Sequence, residues 1–334
     1  MTRRERVLAA IRHEETDKVP YHIDFTSQAL ARLTDYVGDP GYIDHIGNHI
    51  LGAGYTHKEE IRPGYARDRF GVVWNRTGAD KDIGVIDEYL ITEPSLAGYA
   101  FPEVEEAAWR DSIERAVANA EGRYVMATIG FSMFERAWSL RGMENLLMDM
   151  IAEPEFVESL LDAICEFNLK LIDIALDHPI DGMHFGDDWG QQRGLIMGPN
   201  HWRRFIKPRV ARMYERVKRA GKYVSQHSCG DILQLFPDLI DMGLDVYQTF
   251  QPEIYDIKAV KREFGRDLTF WGGISTQRAL PFLTPDQIKQ LTRDTLAIMR
   301  PNGGYIAAPT HAIPADVPPE NIVAMIEVLR GQRQ

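Results

Sequence analysis

Short apolar runs alternate with helix-length amphipathic segments along most of the chain. The apolar runs predict strands at Tyr124–Ile129, Gly182–Phe185, Tyr223–Gln226, Val246–Thr249, Leu268–Trp271 and Tyr305–Ala308. Apolar residues at helical spacing predict helices over residues 153–177, 202–220, 230–242, 256–264, 284–299 and 319–330. Strands that alternate with crossover helices are typical of βαβ units, so the pattern predicts a parallel sheet.

The first hundred residues are less regular. Thr2 and Glu5 form a capping-box pair that predicts a helix over residues 3–13, and a short strand is expected at Tyr21–Phe25. Residues 38–102 predict loops and short helices, with a hairpin around Phe70–Trp74 and Ile83–Ile91.

With one more strand from this early region, the count reaches about eight, which predicts a single α/β domain over residues 1–334. We expect a (β/α)8 TIM barrel with an N-terminal extension and irregular early loops. An open doubly wound sheet is the rival, but no Gly-x-Gly-x-x-Gly follows an early strand to support its dinucleotide-binding form.

Composition restricts the partners. Lys and Arg number 38 and Asp and Glu 49, a net charge of −11 that disfavours nucleic acid and anionic membranes. No apolar run approaches the ~18 residues that span a bilayer. The N-terminus is basic but lacks the apolar core of a signal peptide, so we expect a cytoplasmic protein. The sequence leaves homo-oligomerisation open.

Polar side chains concentrate where the predicted strands end, which is where the active sites of parallel barrels lie. His227 and Cys229 are two residues apart at a strand end, so both side chains can face one metal ion. Imidazole and thiolate are ligands that zinc prefers, and His311, after the last strand, is the candidate third ligand. The alternative is a buried thiol beside a capping imidazole. The other cysteine, Cys165, lies in a predicted helix, and a chain with only two cysteines cannot form a four-thiolate site.

Two adjacent aspartates follow the strand at residues 182–185. Asp187 and Asp188 point to opposite sides of an extended backbone, so we expect one of them to enter the cavity as a general base, a metal ligand or an orienting group. Helix capping is the alternative for either. Four further side chains are candidates for the substrate pocket: His184, Trp189, Gln248 and Gln251.

Segments along nearly the whole chain resemble the uroporphyrinogen decarboxylase superfamily, and within it the cobamide-dependent methyltransferases more than the decarboxylase. They are Arg3–Arg12 with Asp17–Pro20, His184–Gly194, His227–Ile232, Phe270–Gln277, and Gly303–Pro314 with Pro318–Ile322. The resemblance implies one TIM barrel.

In the methyltransferase branch, a His-x-Cys pair and a cysteine near the last strand bind a catalytic zinc, so the resemblance implies zinc at His227 and Cys229. His311 stands where the thiol-activating members have cysteine. Imidazole in place of thiolate makes zinc a stronger Lewis acid, which favours a methoxy oxygen as leaving group. The implied reaction moves a methyl group between a small methylated substrate and a corrinoid carried by a partner protein.

The decarboxylase has histidine near its last strand too, but its Arg-rich segment is replaced here by Tyr21–Ser27, and no Phe-Ser-Asp-Ile-Leu segment is present. A polyanionic tetrapyrrole would therefore lack its charge partners. Two alternatives remain: a metal-free decarboxylase or other lyase on the same fold, and a non-catalytic module that binds a corrinoid protein.

Overall fold

A curled parallel sheet of seven strands forms the centre of the computed structural model, which describes residues 1–55, 58–78 and 83–332. In spatial order its strands are β1 (Ile50–Gly54), β6 (Tyr124–Ile129), β7 (Gly182–Gly186), β10 (Tyr223–His227), β11 (Val246–Phe250), β12 (Thr269–Ile274) and β13 (Tyr305–Pro309). Each neighbouring pair is parallel. All residues of β12 and β13 are buried, as expected for a sheet covered on both faces.

Two small antiparallel sheets lie outside this centre. The first follows β1 and consists of β2 (Lys58–Arg62), β3 (Tyr65–Asp68), β4 (Val73–Asn75) and β5 (Val85–Ile86). The second is a short hairpin after β7, formed by β8 (Gly190–Gln191) and β9 (Gly194–Leu195). The predicted hairpin corresponds to the β4–β5 pair, whereas β2 and β3 had no sequence signal. Within the irregular region 38–102, residues 56–57 and 79–82 lie outside the described residues.

Helices connect the strands and cover the sheet. They are α1 (Arg3–Ile11), α2 (Ser27–Val37), α3 (Tyr42–His45), α4 (Glu106–Ala118), α5 (Phe134–Arg141), α6 (Met143–Ala152), α7 (Pro154–Leu176), α8 (Gly198–His201), α9 (Lys207–Arg219), α10 (Phe236–Asp241), α11 (Ile257–Phe264), α12 (Pro285–Met299) and α13 (Pro319–Arg330). The long α7 begins with Pro154 in its first turn, and its apolar stripe, which includes Leu160, Ile164 and Leu171, is buried. None of the described helices is long and apolar enough to cross a membrane.

The segment Tyr21–Phe25 is not a regular strand as predicted. It makes two isolated parallel bridges, Tyr21 with Ala307 and Phe25 with Ile313. On its other side the Tyr21 carbonyl accepts the backbone N–H of His49, just before β1. The segment thus lies between the first and last strands of the sheet. Among the described residues the expected eight-stranded barrel is a TIM-barrel-like sheet of seven regular strands and one bridging segment.

Helix α1 covers the N-terminal ends of the strands. Its capping box forms as predicted, because Thr2 Oγ1 accepts the Glu5 N–H and the Glu5 carboxylate accepts the Thr2 N–H. Val7 and Ile11 pack with side chains from the sheet interior, including Tyr124. The helix is hydrogen-bonded to the turns that precede β6 and β13. Polar chemistry is thereby left to the opposite end, where the strands finish.

Candidate metal centre

A cavity of about 1070 Å³ lies inside the curled sheet. Its walls include side chains from the bridging segment, from strand interiors and from strand ends, among them His22, Asp24, His184, His227, Gln248, Trp271 and His311. Four of the seven are histidines, a ring with nitrogen atoms that bind either protons or metal ions. Four of the predicted site residues, His184, His227, Gln248 and His311, therefore face one cavity.

His227, Cys229 and His311 form a potential metal-binding group. The ligand atoms of the three side chains all lie within 4.8 Å of one another. The Nε2 atom of His227 is 3.5 Å from Cys229 Sγ, and the His227 and His311 ring centroids are 5.6 Å apart. β10 ends at His227 and β13 at Pro309, so two non-adjacent strands deliver the group to one point.

Two polar neighbours orient His227. Its Nδ1 is hydrogen-bonded to Gln248 Oε1 in the adjacent strand β11, which leaves Nε2 facing Cys229. Asp188 Oδ1 lies 3.4 Å from the same Nε2 and also accepts the Cys229 backbone N–H at 2.8 Å. Partners of this kind fix the tautomer and direction of a ligating histidine.

The charges of His227 and Asp188 depend on each other. Burial disfavours the charged imidazolium, but the hydrogen bonds with Asp188 and Cys229 prevail and raise the pKa of His227 well above its ordinary value. For Asp188, burial opposes ionisation, whereas the His227 hydrogen bond and charge lower its pKa. A metal ion competes with a proton for Nε2, so the same acceptors would stabilise a cation there.

Asp187 does not line this cavity. It is fully buried, and its carboxylate accepts the backbone N–H groups of Met133, Phe134 and Glu135 at the start of α5. It also accepts the Trp189 indole N–H. The capping alternative left open by the sequence describes these contacts, and Asp188 is the aspartate of the pair that faces the metal-binding group.

The loop that carries Cys229 is held by a close backbone approach. Gly230 has φ +80° and packs against the backbone of Gly190 in the β8–β9 hairpin so tightly that a Cβ atom on either residue would overlap the other segment. Gln251 Oε1 accepts the Gly230 N–H at 3.0 Å. Both positions require glycine because a side chain has no space there, and the φ of Gly230 also disfavours any L side chain.

Of the four predicted pocket residues, two line the cavity and two do not. His184 and Gln248 line the cavity. His184 Nδ1 is 2.7 Å from Ser225 Oγ, and burial lowers the pKa of its ring to about 3. Trp189 is fully buried against Trp202, and Gln251 holds the Gly230 loop, so neither lines the cavity.

Sequence reasoning missed two side chains around this site, His22 and Glu135. His22 lies 3.1 Å from Asp24, lines the cavity and has a buried Nδ1 without a partner among the described residues. Glu135, at the start of α5, has a pKa raised well above its ordinary value by burial and by the nearby Asp188 and Asp187. Only the position of Glu135 after a strand could have signalled it, because its charge neighbours are distant in sequence.

Comparisons with known proteins agree with this fold. A methyltransferase from Methanosarcina mazei superposes with a TM-score of 0.75 over 99% of both chains at 19% identity. D-psicose 3-epimerase from Clostridium cellulolyticum H10 gives a TM-score of only 0.45 at 10% identity, covering 93% of this chain and 94% of its own. No curated protein sequence matches. The family model for uroporphyrinogen decarboxylase (URO-D) matches residues 79–332. The chain therefore belongs to the uroporphyrinogen decarboxylase family.

Proposed function

We propose that the protein is a zinc-dependent methyltransferase. It would move a methyl group between a small methylated substrate and the corrinoid of a partner protein, with O-methyl compounds as the favoured substrates. The observation that carries the proposal is the convergence of His227, Cys229 and His311 at the strand ends of a cavity large enough for a small molecule. A methyltransferase with the same fold over the full chain length supports it.

The donor set fits a catalytic zinc. With Zn–N near 2.0 Å and Zn–S near 2.3 Å, tetrahedral ligand atoms lie about 3.5 Å apart. The Sγ–Nε2 distance of 3.5 Å agrees with that separation, and the widest separation in the group, at most 4.8 Å, needs only a small side-chain adjustment. Three protein ligands leave a fourth position for substrate, as in catalytic rather than structural zinc sites.

When bound, zinc would supply Lewis-acid chemistry by stabilising the negative charge on the oxygen or sulfur that loses the methyl group. Gln248 would hold the His227 ring in its ligating tautomer. Asp188 would complete the metal shell or hold the Cys229 segment in position. His184, His22 and Trp271 would shape the cavity that orients the substrate.

The choice of oxygen over sulfur rests on the ligand charge. The site offers one thiolate, Cys229, because Cys165 is buried in α7 with its sulfur near the Arg209 carbonyl. One thiolate and two imidazoles leave more positive charge on zinc than two thiolates would, so the site favours polarising a leaving oxygen.

Methyl transfer to free cob(I)alamin tests the proposal. Purified zinc-loaded protein is incubated with a panel of methyl ethers, methyl thioethers and methylamines, and the cobalt spectrum is recorded. We expect methylcobalamin with at least one methyl ether, and loss of the reaction in Cys229→Ala. Cys165→Ala is the matched control and should retain the reaction, because that thiol is remote from the cavity.

The alternative functions give different results. A metal-free lyase would bind less than about half an equivalent of zinc and would keep its activity in Cys229→Ala. A non-catalytic module would associate with a corrinoid protein, yet no methylated compound would change the cobalt spectrum. Either result would overturn the proposal.

A further inference from the structure

A second cavity, of about 220 Å³, lies outside the curled sheet. It is bounded by the C-terminal ends of β1 and β6, by the β2–β5 sheet and by α7. Five aromatic rings line it: Tyr55, Phe70, Trp74, Phe131 and Phe167. It shares no lining residue with the cavity of the metal-binding group. For scale, an apolar cavity of about 150 Å³ accommodates benzene.

Two arginines line this aromatic cavity. The Arg69 side chain is only 9% exposed and its guanidinium stacks 3.8 Å from the Tyr55 ring centroid. The Arg136 side chain is 11% exposed, and its guanidinium lies 4.1 Å from the Phe70 ring centroid. The Nε–H of each arginine is buried without a hydrogen-bond partner among the described residues. Leaving a buried charged donor unpaired is costly, so the contacts in the structure do not explain why these groups are kept inside.

The neighbouring carboxylates leave this positive charge incompletely compensated. Asp68 pairs with Arg136 Nη1 at 2.7 Å, but its two oxygens also accept the backbone N–H groups of Phe70 and Val72 and the indole N–H of Trp74. The Asp68 carboxylate therefore has no acceptor position left for the Nε–H groups of the two arginines. Glu105 lies 3.1 Å from Arg69 Nη1, but its side chain is 52% exposed, so water screens its charge.

We propose that this cavity binds a small aromatic carboxylate. The ring of the ligand would stack among the aromatic walls, and its carboxylate would accept the free Nε–H groups of Arg69 and Arg136, since planar guanidinium groups pair closely with carboxylates. Size and charge act together here, because an apolar ligand would leave the guanidinium donors unpaired and a small inorganic anion would leave the aromatic surface unfilled. The proposal rests on these residues and not on the proposed methyl transfer.

Calorimetric titration with benzoate tests the site, with benzyl alcohol as a neutral ligand of similar shape. We expect benzoate to bind more tightly than benzyl alcohol, and Arg69→Gln to weaken benzoate binding about tenfold or more through the loss of a charge-assisted hydrogen bond. Arg67→Gln is the matched control, because Arg67 is exposed on β3, two residues before Arg69, and does not line the cavity. Cys229→Ala should leave the affinity unchanged and so separates this site from the metal-binding group.

Three results would overturn the proposal: no benzoate binding to the wild-type protein, equal affinity in Arg69→Gln, or loss of binding in Cys229→Ala. Because Arg69→Gln could impair folding, crystals of the wild-type protein soaked with 4-bromobenzoate give an independent answer. The anomalous bromine signal should lie between Tyr55 and Phe131. A signal only in the larger cavity, or none, would contradict the assignment.

Discussion

At the scale of single residues, adjacent aspartates have different partners. Asp187 accepts three backbone N–H groups at the start of α5, whereas Asp188 lies beside His227 Nε2. We predict that Asp187→Ala lowers the free energy of unfolding by about 2 kcal/mol or more, because it leaves buried donors unpaired. Asp188→Ala should change stability little but weaken zinc binding. Chemical denaturation of both variants measures the free energy of unfolding, and a zinc titration measures the zinc affinity. Equal effects of the two on zinc affinity would contradict the division of roles.

Gln248 provides a second test at this scale. Its side-chain oxygen is hydrogen-bonded to His227 Nδ1, so Gln248→Leu removes the group that fixes the ring. We expect zinc affinity to fall about 10- to 100-fold, the usual effect of losing such a partner. Competition with a chelating dye measures the affinity. Gln192→Leu, at an exposed glutamine in the hairpin region, is the control and should leave affinity unchanged.

Much of the candidate site could be predicted at the residue scale because its signal is local. His227 and Cys229 are two residues apart, and each predicted ligand directly follows an apolar run. Trp189 and Gln251 show the limit of this reasoning. Both occur in polar stretches after strands, yet Trp189 packs against Trp202 and Gln251 binds the Gly230 N–H of another loop. The tertiary fold determines such contacts, and they produce no periodic pattern in the sequence.

At the scale of elements, the metal-binding loop depends on the β8–β9 hairpin. We predict that Gly230→Ala destabilises the protein and lowers zinc affinity, because the new Cβ would overlap the Gly190 backbone and push the Cys229 segment away. Gly221→Ala is a matched control with a similar φ of +69° but nothing within 4 Å of the new Cβ. It should cost only the backbone strain of about 1 kcal/mol and leave zinc affinity unchanged. Equal zinc affinities in the two variants would contradict the role of the hairpin.

The hydrophobic pattern of the sequence does not predict helix α5 or the bounds of strand β1. Helix α5 has no simple apolar stripe, since Arg136 and Arg141 are buried in it. Arg141 pairs with Asp149, and Arg136 contacts Asp68 and the Phe70 ring. A pattern search expects arginine at the surface, so the helix was missed. The bounds of strand β1 could not be predicted because glycine occupies two of its five positions.

At the scale of the whole molecule, a buried histidine links stability to pH. His49 is 2% exposed at the junction before β1, and burial lowers the pKa of its ring to about 3. The unfolded chain takes up this proton below about pH 6.5, whereas the folded chain resists it until about pH 3. The stabilisation is therefore complete above pH 6.5 and is lost as pH falls through that window. Between pH 7.5 and pH 5 the free energy of unfolding should fall by about 2 kcal/mol because of His49.

His49→Phe keeps a planar ring but removes this titration. Denaturation at the two pH values should show a smaller loss of stability for His49→Phe than for the wild-type protein. His45→Phe is the control, because His45 is exposed, and it should keep the wild-type pH dependence. Identical pH dependence in all three proteins would exclude His49 as the source.

The overall fold was largely predictable because helices and strands alternate regularly from β6 to α13. The TIM-barrel-like arrangement is confirmed, but the described residues form seven regular parallel strands where about eight were expected. Tyr21–Phe25 has an apolar–polar alternation typical of a strand, but it forms only two isolated bridges, with Ala307 of β13 and with Ile313 beyond it. Strand pairing depends on both partners, and the sequence of one segment cannot specify it.

X-ray absorption at the zinc edge of the purified protein tests the proposed zinc site. We expect about one zinc per chain with one sulfur and two or more nitrogen or oxygen neighbours, and loss of the sulfur contribution in Cys229→Ala. A protein that binds no zinc, or a zinc site without sulfur, would exclude the site at His227, Cys229 and His311.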